Sequence, residues 1–240
     1  MKEHEIYSDI KVPLSSDLIL RLDGRNFHSL SKKLNLKTPF DREFTMMMVK
    51  ACLNIFKEFS PSFVYTFSDE VNILFNSIPF SGRLEKLNSV FSSLVSSSLT
   101  LSIEQYRKDF DKTYDGFMWQ FKDSDDLFPI AFDSRVILVS NDGVFNYFKW
   151  RQDEAYRNCI NSYGYWALKE DCDNDELKKK SHGFKSSDIH EYLFKNKGIN
   201  LGKLPNWQRR GIAIYKKDKI NISFDEQLPK FNKDFFNRIL

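Results

Sequence analysis

Two short segments of the chain carry acidic residues in settings suited to divalent cations. Leu18–Arg25 reads L-I-L-R-L-D-G-R, an apolar run that delivers Asp23 at its end with Gly24 beside it. Phe63–Phe75 reads F-V-Y-T-F-S-D-E-V-N-I-L-F and sets Ser68, Asp69 and Glu70 at the tip between two apolar strands. Carboxylates from two strand ends can meet across a sheet and hold two Mg2+ ions, which prefer oxygen donors. Such a pair aligns an attacking and a leaving oxygen in phosphoryl or nucleotidyl transfer. Asp23 and Asp69, with the backbone carbonyl of Gly24, are the candidate donors, and glycine lets the backbone approach an ion. Substrate phosphates and water would fill the remaining positions. Taken singly, each segment also reads as an ordinary strand-ending turn.

The elements that must position these residues follow from the pattern of apolar side chains. Ser16–Leu22 reads as a buried strand, and Asn26–Phe40 as an irregular, basic stretch. Asp41 is placed to cap a helix. Phe44, Met47, Met48, Ala51, Ile55, Phe56 and Phe59 then recur at three- and four-residue steps, up to Ser60-Pro61. Phe63–Phe67 and Val71–Phe75 form a hairpin around the acidic tip. Pro79–Gly82 is a loop, followed by a Ser-rich helix over Arg83–Tyr106 whose small residues allow close packing on the sheet. Phe128–Phe132 and Arg135–Ser140 read as a further strand pair or one bent strand. The order strand, helix, strand, strand, helix, strand is the α+β, ferredoxin-like split βαβ arrangement found in polymerase palms and nucleotide cyclases. Beyond the turn at Asn141-Asp142-Gly143 come a helix over Val144–Lys169, a Lys-rich segment, a helix through Phe194 with Gly198 as its cap, and a hairpin of Gly211–Tyr215 and Ile220–Phe224. The expectation is one compact unit over residues 1–240, with a palm-like core at about 16–141 and a helical and hairpin C-terminal extension at about 142–240.

Other residues suit phosphate, base or RNA contact. Arg83 and Lys86 share a face at a helix start and could clamp a triphosphate, or form a solvated helix start. His28, Ser31, Lys32, Lys33 and Lys37 follow the first acidic turn, where they could hold a nucleotide or form a basic surface loop. Glu154, Arg157, Asn158 and Asn161 can share a helical face after Trp150-Arg151-Gln152, suited to nucleotide or RNA or to a salt-bridged surface. Trp207-Gln208-Arg209-Arg210-Gly211 is a second basic–aromatic cluster.

Bulk properties set wider bounds. With 240 residues, 41% hydrophobic and 23 of them Phe, the chain can bury a thick aromatic interior. A net charge of +3, from 36 basic and 33 acidic residues, neither demands nor excludes a nucleic-acid partner. Cys52, Cys159 and Cys172 form no close pair, and with 4 His no zinc pattern arises. Neither a signal sequence nor an apolar run of about 20 residues is present. The expectation is a cytoplasmic protein without membrane contact, an organelle remaining open.

Six motifs occur in the order of a known family: R-L-D-G-R-N-F-H (Arg21–His28), F-S-D-E (Phe67–Glu70), F-D-S-R (Phe132–Arg135), W-R-Q (Trp150–Gln152), Y-W-A-L (Tyr165–Leu168) and G-I-N…L-P (Gly198–Pro205). The chain resembles the tRNA-histidine guanylyltransferase superfamily from about residue 6 to 217. That resemblance implies a palm-like core, activation of a tRNA 5′-monophosphate by ATP or GTP, and attack on that end by the 3′-hydroxyl of an incoming nucleotide. It implies that Asp23, Asp69 and Glu70 are catalytic, with two Mg2+ held by Asp23, Gly24 and Asp69. It implies that His28, Ser31 and Asp41 hold the activating nucleotide, and that Ser68, Arg83 and Lys86 belong to triphosphate motifs. A lysine of the eukaryotic activation site falls on Thr38, with Lys37 beside it. Arg151, Arg157, Asn158, Asn161, Arg209 and Arg210 are the candidate RNA contacts. Family members tend to be tetramers, so a homo-oligomer is expected.

One departure bears on the reaction. Eukaryotic tRNA-histidine enzymes carry H-I-N-N-L-Y-N where this chain has Tyr156-Arg157-Asn158-Cys159-Ile160-Asn161-Ser162, matching only at Asn158. The chain therefore looks like the guanylyltransferase-like branch, which repairs truncated tRNA 5′ ends against the opposite strand. A dedicated enzyme adding one G, a non-catalytic tRNA-binding palm and, at the level of fold, a nucleotide cyclase are the alternatives.

Overall fold

A computed structural model of the chain describes residues 4–110, 129–140, 143–218 and 221–240. Strand β1 (Asp17–Gly24) alternates its side chains between two faces, as strands must. Leu18, Leu20 and Leu22 enter one core, while Ile19 enters another. Arg21 and Asp23 follow Ile19 on the second face, so the same alternation that builds both cores aims Asp23 away from the larger one.

Helix α1 (Phe27–Lys33) occupies part of the stretch expected to be irregular. Its apolar content is modest, but Leu30 is buried and anchors it. Helix α2 (Arg42–Glu58) begins where Asp41 accepts a hydrogen bond from the Phe44 amide at 2.9 Å. Strands β2 (Phe63–Phe67) and β3 (Glu70–Phe75) form the hairpin, closed by Ser68 and Asp69 alone. A short 3-10 turn at Pro79–Gly82 leads into helix α3 (Leu84–Phe110). The α3 serines answer the packing question. Several return their hydroxyls to carbonyls of the preceding turn, as Ser102 does to Ser98 at 2.8 Å. Ser98 also accepts from Asn54 of α2, and Ser96 from the amide of Phe132.

Strand β4 (Phe132–Val139) is one continuous strand rather than two pieces. It keeps register with β1 throughout, from Gly24 opposite Phe132 to Asp17 opposite Val139. The expected strand start at Phe128, the turn residues Asn141 and Asp142, and Ile220 lie outside the described residues. Helix α4 (Gly143–Asp171) crosses the second face of the sheet, followed by α5 (Asn174–Gly183) and α6 (Ser186–Lys197). Gly198 ends α6 at φ 64°, the left-handed conformation that glycine adopts without strain. Helix α7 (Asn206–Arg210), strands β5 (Ile212–Lys216) and β6 (Ile222–Asp225), and helix α8 (Lys233–Ile239) complete the chain.

The sheet has six antiparallel strands in the order β4-β1-β3-β2-β5-β6. Its first four strands, with α2 and α3 on one face, are the split βαβ arrangement. The C-terminal hairpin is not a separate appendage, because β5 pairs with β2 from Thr66–Ile212 to Phe63–Tyr215. Val144, Tyr147 and Phe148 of α4, with Phe235 and Phe236 of α8, cover the second face. A smaller cluster of Ile160, Ala167, Ile189, Leu193 and Leu201 joins α4 to α6.

Candidate active site

Register brings the carboxylates together. Asp23 lies directly opposite Glu70 on β3 and opposite Asp133 on β4. The hairpin tip then folds over the end of β1, where the Gly24 amide donates to the Asp69 carbonyl at 3.1 Å. A Cβ on Gly24 would stand 2.3 Å from the Phe27 ring and 3.0 Å from Asp69 Cβ, so glycine permits this approach. Ser68 holds φ 54° at the tip, unusual for a residue with a side chain.

The three carboxylates differ in their neighbours. Glu70 is held by Arg151 through two bonds, Nε to Oε1 at 2.8 Å and Nη2 to Oε2 at 2.5 Å. Asn72 donates to Glu70 at 2.8 Å and in turn accepts from the Tyr147 hydroxyl at 2.6 Å. The ion pair is largely enclosed, with side-chain exposures of 13% and 16%. Among the described residues no cation pairs with Asp69. Burial pushes its carboxyl up to about 6; its own amide and the Ser68 hydroxyl pull it down in part, while Asp23 and Glu70 push it further up. Asp23 is raised as well, first by burial and then by Glu70 and Asp133, against the opposing pull of Arg21 and Arg135.

Two cavities flank this centre. The first, about 430 Å³, has Asp23, Ser68, Asp69 and Glu70 on its floor, and Arg151, Ala155, Asn158, Asn161 and Ser162 of α4 on its wall. The second, about 240 Å³, is lined by His28, Ser31, Lys37, Asp41, Ser68, Asp69 and Trp166 among others. Pro39, Phe40, Ser68 and Asp69 belong to both, so the hairpin tip is a shared partition. Of the residues that could hold a nucleotide in the α1 region, His28, Ser31 and Lys37 converge on the second cavity, while Lys32 and Lys33 are not among its lining. Asp41 contributes mainly by shaping the wall. It is buried, and its two carboxylate oxygens accept from the amides of Phe44 and Lys37, both at 2.9 Å.

Other expected residues stand elsewhere. Arg83 stands at the start of α3, its carbonyl accepting from the Leu87 amide at 3.0 Å, and it also forms an isolated bridge with Lys11; Lys86 lies in the first turn. Arg83 and Lys86 are exposed at the end of the sheet where β3 finishes. Five residue pairs separate that end from the acidic tip, about 17 Å of strand, so they do not join Ser68 around one cavity. Arg151, expected on an RNA-facing stripe, is turned into the site by Glu70. Arg157 is 61% exposed, pairs with Glu154 one turn earlier, and lines neither cavity. Arg209 bonds Asn206 within α7, and Arg210 donates to the Leu228 carbonyl at 2.9 Å, tying α7 to the C-terminal segment. Gln152 does likewise, accepting from the Phe231 amide at 2.7 Å and donating to the Pro229 carbonyl at 3.1 Å.

Sequence reasoning passed over Ser162 and Trp166. Their signal was present, since 151, 155, 158, 162 and 166 recur at three- and four-residue steps on one face of α4. That face runs past both cavities.

Comparison with known proteins identifies the family of the chain. Residues 1–140 match the family model of tRNAHis guanylyltransferase, and residues 142–234 match that of the family's C-terminal domain. A probable tRNA(His) guanylyltransferase of Dictyostelium discoideum is 28% identical over 219 residues, covering 90% of this chain and 81% of that protein. The probable human enzyme is 27% identical over 217 residues, covering 88% of this chain and 69% of the human one. A bacterial tRNA(His) guanylyltransferase-like protein solved in complex with ATP superposes with a TM-score of 0.79 at 27% identity, covering 99% of this chain and 95% of its own. A bacterial protein so described in complex with GTP gives a TM-score of 0.72 at 25% identity, covering 99% and 94%. Matched in both its halves by the family's models, this chain belongs to the tRNAHis guanylyltransferase family and is a nucleotidyltransferase.

Proposed function

We propose that this chain is a template-directed 3′–5′ nucleotidyltransferase that adds nucleotides to the 5′ ends of tRNAs, truncated ones included. The observation that carries the proposal is the Asp23–Asp69 pair in the larger cavity, with Asp69 on the partition that the larger and smaller cavities share. Two successive transfers, at the α-phosphorus of the activating nucleotide and then at the RNA 5′-phosphorus, suit such an arrangement. In the first, an oxygen of the RNA 5′-phosphate attacks the α-phosphorus of ATP or GTP and pyrophosphate leaves. In the second, the 3′-hydroxyl of an incoming nucleotide attacks the RNA 5′-phosphorus and the nucleoside monophosphate leaves.

The donor set fits Mg2+. Two crowded carboxylates whose pKa values stay raised, Asp23 despite Arg21 and Arg135 nearby, gain from a divalent ion, and both offer hard oxygen donors. Among the described residues no three His, Cys, Asp or Glu side chains form a complete cage. Substrate phosphates and water would complete the shell, as is usual for Mg2+. When bound, the ions would polarise the phosphates and stabilise the attacking and leaving oxygens. Asp23 and Asp69 would hold them, with the Gly24 carbonyl assisting. Arg151 neutralises Glu70 and so keeps a third free negative charge from the phosphates. His28, Ser31 and Lys37 would hold the activating nucleotide in the smaller cavity.

The larger cavity supports the templated reading. Asn161 and Ser162 line it, at the positions where the dedicated eukaryotic motif has Tyr and Asn. Smaller side chains leave room for a nucleotide paired to a template, and base pairing then supplies the selectivity. A 5′-truncated, 5′-phosphorylated tRNA incubated with ATP, Mg2+ and all four NTPs tests this. Added nucleotides are expected to follow changes in the opposing template base. Addition of G regardless of template would identify a dedicated single-G enzyme, and no addition to any tRNA in a panel would sink both readings. Assembly as a homotetramer belongs to the same proposal, and sedimentation at assay concentration checks it.

A further inference from the structure

We infer that Trp166 is the stacking platform for the base of the activating nucleotide and biases that site toward purines. This rests on the assignment of the smaller cavity to the activating nucleotide. A nucleotide base needs a flat apolar surface with a free face. Four aromatic residues line this cavity: Phe27, Phe40, Phe44 and Trp166. The three phenylalanines are engaged by aromatic or core neighbours from other elements. Phe27 meets Phe44 and Phe132 edge-on, with centroids 5.8 and 5.3 Å apart. Phe40 meets Phe67, Tyr163 and Trp207 at 5.6, 6.1 and 6.4 Å. Phe44 is buried in the main core.

Trp166 differs. Among the described residues its ring contacts are with its own helix: Tyr165 at 5.5 Å, and the Lys169 ammonium 4.4 Å from the ring centroid. It is half-buried, and it reaches the cavity from α4, whereas the polar lining residues come from the segment around α1 and from the hairpin tip. The ammonium beside the indole anchors the ring, and among the described residues no aromatic ring from another element packs on it. The indole thus offers a base a rigid, wide π surface, with His28, Ser31 and Lys37 around the same space for the sugar and phosphates. Base–aromatic stacking needs no particular hydrogen-bonding edge, so ATP and GTP are both accepted, while the smaller pyrimidine ring overlaps less.

The test measures activation of a 5′-monophosphorylated tRNA against ATP, GTP and CTP concentration, alongside equilibrium binding of ATP to the same full-length proteins. Trp166→Ala is expected to raise KM and Kd for ATP about 5- to 150-fold, the range for loss of one stacked base. The loss should fall on KM more than on kcat, and the preference for ATP and GTP over CTP should narrow. Trp166→Phe should recover most of both. Unchanged KM and Kd in Trp166→Ala would overturn the inference. So would a fall in kcat alone with a matching loss of thermal stability, which marks a structural residue. If the unmodified protein activates no tRNA, the proposed reaction fails, yet weaker ATP binding by Trp166→Ala still upholds the stacking role. If activation proceeds and Trp166→Ala binds ATP normally, only the stacking role fails.

Discussion

Replacing Asp69 with asparagine should make the protein more stable while disabling it. The folded state holds the Asp69 proton up to about pH 6, against an ordinary value of 3.8. The folded state therefore binds more protons than the unfolded chain between those limits, and stability falls as pH rises through that window. Above about pH 6.5 the penalty is complete. A gap of about 2 units corresponds to about 3 kcal/mol as an upper figure. Asparagine has nearly the same shape and no charge, so it escapes the penalty at every pH. Asp69→Asn should gain up to about 3 kcal/mol over the unmodified protein at pH 8, about 6–12 °C in Tm for a chain of this size. Below about pH 3, where Asp69 is protonated in both states, the gain should vanish. The assay is thermal and urea unfolding of both proteins in a metal chelator from about pH 3 to 8, repeated at pH 8 with Mg2+. The ion should raise the Tm of the unmodified protein and leave the variant nearly unmoved. A variant no more stable at pH 8, or a difference independent of pH, would refute the electrostatic reasoning. Nucleotide addition by the variant at the normal rate would refute the metal assignment.

Arg151→Ala should destabilise by about 3–5 kcal/mol, because it strands the enclosed Glu70 carboxylate; adding Glu70→Gln should restore most of that in urea titrations. Full stability of Arg151→Ala would mean that the pair is open to water. Gly24→Ala should lose about 1–3 kcal/mol through overpacking against Phe27 and Asp69. Its catalytic loss should exceed what its unfolding at the assay temperature explains, and activity like that of the parent would contradict the close approach. Ser68→Val should lose about 1–2 kcal/mol, since a β-branched residue resists the left-handed conformation, whereas Ser68→Gly should stay within about 0.5 kcal/mol. Equal stabilities for the two in differential scanning calorimetry would argue against positive φ at the tip.

Much of this was legible in the chain because period-2 and period-3.6 patterns report burial directly. β1, the acidic hairpin, α2 with its Asp41 cap, and the Gly198 end of α6 follow from local chemistry alone. The site was legible to the extent that it sits on those elements, hence Asp23, Asp69 and the α1 residues around the smaller cavity. What depends on distant contacts was not. Helix α1 is held by the burial of Leu30 rather than by propensity. Arg151 looks like any surface arginine until β3 delivers Glu70 beneath it. Arg83 and Lys86 look adjacent to the hairpin in sequence, yet β3 carries the chain away to the far end of the sheet before they appear.

The pairing of β2 with β5 also bears on how the molecule is made. Synthesis runs from the N-terminus, and Phe63 is joined to its partner Tyr215 only after roughly 150 further residues are added. At about 5–20 residues per second, the hydrogen-bonding edge of β2 waits on the order of 10–30 s for its cover. During that interval the nascent sheet presents an open strand of Phe63, Val64 and Tyr65, the kind of edge that recruits other chains. Ribosome-bound chains arrested just before residue 212 should therefore engage chaperones, and chains arrested well past the end of α8 should release them. The last quarter of the polypeptide closes the catalytic sheet, and it does so late.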